Sequence, residues 1–151
     1  MKDSLKKLKD NSMKRLMVVM MVALATACSK DEVTEQKASF GSTIETAYSK
    51  AVVLQEGVEV KVTKIEDSRC PKSVVCVWEG MVKVYISVSE KGATKEAVIE
   101  IKGGEQKPSS TTVELNGNTY LIEVTDVSPY PQTPDPISLQ DYKISFTIKK
   151  A

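Results

Sequence analysis

From residue 40 onward, apolar and polar side chains alternate with a period of two. Val58, Val60 and Val62 alternate with Glu59, Lys61 and Thr63. Val82, Val84, Ile86 and Val88 alternate with Lys83, Tyr85, Ser87 and Ser89, and Ala97, Ile99 and Ile101 with Glu96, Val98 and Glu100. The same holds for Tyr120, Ile122 and Val124, and for Tyr142, Ile144, Phe146 and Ile148. A period of two sends successive side chains to opposite faces of a strand, so each stretch reads as a strand with one buried and one wet face. The turns agree. Asn116-Gly117 suits a two-residue hairpin whose central residues both need positive φ. Glu56-Gly57 and Lys91-Gly92 mark two more turns, and residues 103–110 read as a loop. Residues 42–54 are ambiguous, with 50–54 read as a strand. Six to eight short antiparallel strands in residues 40–151 predict an all-β, immunoglobulin-like β-sandwich.

The first 27 residues read as a secretory signal, outside the fold. Met13-Lys14-Arg15 is a short basic stretch, residues 16–25 are apolar, and small residues precede Cys28. The apolar run through Ala27 spans only about 18 Å as a helix, too short for a hydrocarbon core of about 30 Å. Met13 reads as the start of translation; a longer basic leader would act in the same way. The stretch Leu24-Ala25-Thr26-Ala27-Cys28 resembles the lipobox of bacterial lipoproteins, with Ala25 where leucine is usual. That resemblance implies diacylglycerol on the Cys28 thiol, cleavage just before it, and a membrane anchor. Cleavage near Ala27 with a free Cys28 thiol is the alternative. Residues 28–39 then form the anchor and a flexible tether. Ser29-Lys30-Asp31-Glu32 resembles the acidic signal of surface-exposed lipoproteins, so the expected location is the outer membrane, at its periplasmic face or the cell surface. Removing residues 1–27 takes away six basic and two acidic side chains. That leaves 15 basic against 18 acidic, a net charge of −3.

The chain has three cysteines. With Cys28 lipidated, Cys70 and Cys76 remain as an even pair on the oxidising side of the membrane, where a disulfide is expected. Closing that seven-residue loop stabilises the fold by about 2.4 kcal/mol in the chain-entropy description. Two cysteines without histidine make a poor metal set, and the C-x5-C spacing is not that of a redox pair.

The cysteines sit in Asp67-Ser68-Arg69-Cys70-Pro71 and Cys76-Val77-Trp78-Glu79-Gly80. This D-S-R-C-P-x4-C-x-W-x-G pattern, followed by an alternating valine strand, resembles a family of small bacterial lipoproteins and exported proteins of unknown function. The later Val127-Ser128-Pro129-Tyr130-Pro131 fits the same family. The resemblance implies a fold and no activity.

Four residues are candidates for binding. Trp78 either packs under the disulfide, the preferred reading because large aromatics dominate small cores, or stacks on a sugar ring or partner. Arg69 and Lys72 either serve the turn, with Asp67 pairing to Arg69 or capping it, or form a rigid basic loop that inserts into a partner. Some protease inhibitors use such a loop. Tyr130 lies in a segment holding four of the six prolines, either a stiff connection or an extended peptide presented to a partner.

Histidine is absent, so this chain supplies no Ser-His-Asp or Cys-His catalysis and no histidine-ligated zinc. Near-neutral charge gives nucleic acid no electrostatic footing. The reading is a non-catalytic, lipid-anchored binding or structural module without cofactor or metal. Its partner would be an envelope or secreted protein, or a glycan held on a platform of exposed Trp78, Tyr85 or Tyr130. A protein partner predicts an exposed apolar patch.

Overall fold

The computed structural model describes residues 36–104 and 107–151. The signal segment, Cys28 and residues 29–35 lie outside them. The strands are β1 Gln36–Ala38, β2 Thr43–Ala47, β3 Ala51–Leu54, β4 Glu59–Asp67, β5 Met81–Glu90, β6 Ala93–Lys102, β7 Ser109–Leu115, β8 Asn118–Ser128 and β9 Lys143–Lys150. They form a five-stranded sheet ordered β1-β3-β4-β5-β6 and a four-stranded sheet ordered β2-β9-β8-β7.

The two sheets share one core, drawn from the inward positions of the alternating stretches. Val60, Val84, Ile86 and Ile99 come from the first sheet, and Tyr120, Ile122, Ile144 and Phe146 from the second. The alternation therefore names the buried positions of β5, β6 and β9, and those of β4 and β8 as far as Val62 and Val124. The two-residue turns follow as well. Lys91 and Gly92 have φ of 48° and 82°, and Asn116 and Gly117 have 51° and 77°, the left-handed pair that matches the twist of the strands they join.

Two β-bulges redirect the strands. The register of β4 against β5 shifts between Val62 and Lys64, and that of β8 against β9 between Val124 and Asp126. At each, one residue is inserted and the inward positions change parity. Ile65 and Arg69 are buried where strict alternation would have turned Lys64 and Glu66 inward. Val127 is buried in place of Asp126. The inserted Thr63 and Thr125 donate their hydroxyls across the sheet, to the Tyr85 carbonyl at 3.3 Å and the Ser145 carbonyl at 3.1 Å.

Three features depart from expectation. The described residues hold nine strands, not six to eight, because β2 forms inside the ambiguous stretch before residue 50. The sheet begins at Gln36, inside the segment expected to be tether. One pairing is parallel, β1 against β3, while the others are antiparallel. Gln-Lys-Ala carries no hydrophobic alternation. It is held by main-chain bonds along the β3 edge, which side-chain periodicity does not report.

The end bearing the β5–β6 and β7–β8 turns is fastened by a buried carboxylate. Glu90 is 1% exposed. Its carboxylate accepts from Asn118 Nδ2 at 3.2 Å on both oxygens, and its carbonyl accepts from Asn116 Nδ2 at 2.8 Å. Burial pushes this carboxyl up, but the hydrogen bonds it accepts and the Lys91 charge outweigh it, leaving Glu90 below the usual carboxylate range.

Phe146 is fully buried between the sheets. Phe146→Ala should lower the unfolding free energy by about 3–5 kcal/mol through lost apolar burial and the cavity it leaves. Urea unfolding followed by circular dichroism measures this.

Candidate functional site

The candidate residues all belong to the opposite end, where β4 runs out and β5 begins. The β4–β5 connection extends past the sheet. Ser68 N–H donates to the Met81 carbonyl at 2.8 Å and Cys70 N–H to the Glu79 carbonyl at 3.0 Å. Cys70 and Cys76 are joined by the expected disulfide. Gly80 makes the return possible. Its φ is +68°, and a Cβ there would lie 1.9 Å from the Ser68 carbonyl oxygen, so only glycine allows the two strands to approach this closely.

At the root of the loop lies a buried ion pair. The Arg69 and Asp67 side chains are 2% and 7% exposed. Arg69 Nε donates to Asp67 Oδ1 at 2.9 Å and Nη2 to Oδ2 at 2.6 Å. Two further donations cross to β8 and the residue just past its end, Nη1 to the Val127 carbonyl at 2.8 Å and Nη2 to the Pro129 carbonyl at 3.0 Å. Tyr142 donates its hydroxyl to Asp67 Oδ2 at 2.9 Å from the same side. A buried guanidinium is tolerated because its fork of donors is filled by a carboxylate and two carbonyls.

The structure brings three of the four candidates together. The Tyr130 ring lies against both cations, 4.8 Å from the Arg69 guanidinium carbon and 5.6 Å from Lys72 Nζ. The proline-rich segment is paired with the disulfide loop through Lys72 N–H to the Pro131 carbonyl at 3.1 Å and Ser73 N–H to the Gln132 carbonyl at 3.0 Å. Both loops thus share one end of the molecule and brace each other. Arg69 is not part of an exposed basic loop, because the bulge in β4 turns it inward onto Asp67. The bland alternative, pairing with Asp67, is the one observed. Lys72 remains exposed and Tyr130 is half-buried.

Trp78 corrects the preferred expectation. It is 80% exposed and does not pack under the disulfide. The space between the sheets at this end is taken by Arg69, Asp67, Val127 and Tyr142, so no core remains there for an indole to enter. Trp78 belongs instead to an apolar tip. Val74 is 42% exposed, Val75 103% and Val77 107%. These valines were missed as functional residues. Their signal was an apolar run confined between Pro71 and Gly80, where the disulfide and the turn residues forbid a strand.

The aromatic platform drawn for a glycan is only partly present. Trp78 is open, but Tyr85 carries Lys64 Nζ 5.0 Å from its ring centre and donates its hydroxyl to Glu66 at 2.8 Å. Beside the loop, Glu79, Lys102, Lys107 and Ser109 line a depression of about 220 Å³. Comparison with protein-family models, with curated proteins and with solved structures gives no match.

Two outcomes follow. Arg69→Ala leaves Asp67 buried without its partner and should cost about 3–5 kcal/mol of stability in urea unfolding. Burial and the bond to Asp67 push the Tyr142 hydroxyl from 10.0 up to about 12. Between those values the folded chain keeps a proton that the unfolded chain loses, so stability is intact below pH 10 and falls as pH rises toward 12. In Tyr142→Phe that decline should be shallower, as read from urea midpoints across the window.

Proposed function

We propose that this chain is a lipid-anchored, non-catalytic binding module of the bacterial outer membrane, displayed at the periplasmic face or the cell surface. In this reading its two sheets form an immunoglobulin-like β-sandwich, and the disulfide-braced loop is its contact element. The observation that carries the reading is the tip at residues 74–78. Large apolar side chains face solvent there on a loop stapled by Cys70–Cys76 and braced by the proline-rich segment. A loop with little freedom to lose on docking suits binding, because ordering cost is subtracted from affinity.

The lipobox-like sequence ending at Cys28 supports the anchor. The two buried carboxylates support a non-catalytic role: Asp67 is engaged by Arg69 and Tyr142, and Glu90 by Asn118. A glycan ligand is a second reading, favoured by the open face of Trp78.

Cells fed an alkyne-tagged palmitate should yield labelled protein, and the Cys28→Ala variant should yield none. An unlabelled wild-type protein overturns the anchor.

A further inference from the structure

The direction of β1 relates the chain's entry into the sheet to the loop tip. β1 runs parallel to β3, with Gln36 beside Val52, and β3 runs antiparallel to β4, with Val52 beside Val60. The start of β1 therefore faces the end of the sheet toward which β4 runs. Seven residue steps along β4 lead from Val60 to Asp67, one of them taken up by the bulge. At about 3.3 Å per residue, the β4–β5 loop begins about 20 Å beyond the level of Gln36, and residues 71–78 lie farther out still. Only seven residues of chain lie between Cys28 and Gln36, eight steps that reach at most about 29 Å when fully extended. With the strands upright on a membrane that holds Cys28, even a fully extended tether exceeds that distance by only about 9 Å, so the loop end is brought close to the lipid.

What the loop presents there suits an interface. Tryptophan favours the headgroup level of a bilayer, where its ring is apolar and its N–H stays wet. Val74, Val75 and Val77 flank it as apolar bulk, and the exposed Lys72 lies at the base of the tip, where a long cationic side chain reaches lipid phosphate.

We propose that residues 74–78 are a second membrane contact, inserting shallowly into the leaflet that carries the Cys28 lipid. This rests on the lipid-anchor reading. The pair of contacts fixes the orientation of the domain: lipid chains hold one point and the Trp78 tip another, so the loop end faces the bilayer and the opposite turns face away.

Trp78 is the chain's single tryptophan, so intrinsic fluorescence reports this tip alone. The test reconstitutes the mature lipidated protein into phosphatidylethanolamine–phosphatidylglycerol vesicles. Mass spectrometry of the N-terminal peptide reports the lipid independently. Trp78 emission should move to shorter wavelength relative to detergent-free protein carrying Cys28→Ala in buffer. It should also be quenched by lipids brominated near the headgroup more than by lipids brominated near the chain end. A Val75→Asp, Val77→Asp double variant, altered only at solvent-facing positions, should keep the lipid and lose both the shift and the quenching. Lipid present with Trp78 unshifted and unquenched overturns this inference and leaves the anchor standing. The same result, with a shift that appears only on adding envelope proteins, overturns it in favour of a protein partner. Absence of lipid on Cys28 overturns the anchor and this inference with it.

Discussion

The guanidinium of Arg69 is the interaction on which the loop end depends. It reaches from the end of β4 to the carbonyls of Val127 in β8 and Pro129 just beyond it while holding Asp67 on its own sheet. Exchanged for well-packed apolar residues, a buried ion pair often leaves stability unchanged or better. Its contribution here is directional. Each of its bonds has one geometry, so the relation between β4, β8 and the start of β9 is set to within a hydrogen bond's tolerance. An apolar cluster at the same place would fill the space without choosing among nearby registers. The Tyr130 ring lies over the same guanidinium, so the proline-rich segment inherits its position from Arg69 as well. The loop tip projects into solvent because this polar cluster occupies the place a loop side chain would otherwise fill.

That cluster exists only because β4 changes parity. Val62-Thr63-Lys64-Ile65 and Val124-Thr125-Asp126-Val127 share one pattern, in which apolar spacing steps from two to three across a threonine. In both, the threonine is the inserted residue and donates across the sheet. Past the first bulge Ile65 and Arg69 are buried; past the second, Val127 is. The two bulges lie on different sheets and prepare the two sides of one contact, since Arg69 donates to the carbonyl of Val127. At the far end Glu90 serves a comparable purpose, linking the β5–β6 turn to the β7–β8 turn through Asn116 and Asn118. The apolar core is thus bounded at both ends by a satisfied buried charge.

The long strands and tight turns were legible because they depend on local chemistry: a period of two, and Asn-Gly or Lys-Gly where φ must be positive. The step from two to three was also written in the sequence, but alternation followed only to Val62 and Val124 does not reach it. Alternation alone therefore leaves Arg69 open between a turn-serving and an exposed residue. β1 and β2 were illegible for a different reason. Gln-Lys-Ala has no apolar residue larger than alanine and is placed by main-chain pairing along an edge, while Thr-Ile-Glu-Thr-Ala has one, Ile44, which reaches the core but is too little to mark a strand in the sequence. Trp78 departs from the expectation because composition favours tryptophan in cores, and composition does not register that the buried space at the root of the loop is filled by Arg69, Asp67 and Tyr142. The disulfide itself followed from counting cysteines and from compartment.

The parallel pairing of β1 has a consequence for the whole chain that its three residues conceal. An exposed β3 edge would offer unpaired main-chain groups to other strands, and β1 covers it. An antiparallel β1 would cover that edge equally well, but the preceding chain would then leave from the end bearing the Lys91-Gly92 and Asn116-Gly117 turns. In the parallel choice the first residue of β1 is the one nearer the end that carries Arg69, Tyr130 and the disulfide loop. Strand direction, a property without hydrophobic signature, thereby decides which end of the domain an N-terminal anchor would draw toward its membrane. The same end holds Val75, Val77 and Trp78 in solvent, on a loop whose disulfide and pairing with Pro131 and Gln132 oppose its collapse onto the body. Keeping apolar surface exposed in this way costs solubility, and the arrangement is coherent when the surface that approaches the tip is one against which apolar side chains can be buried.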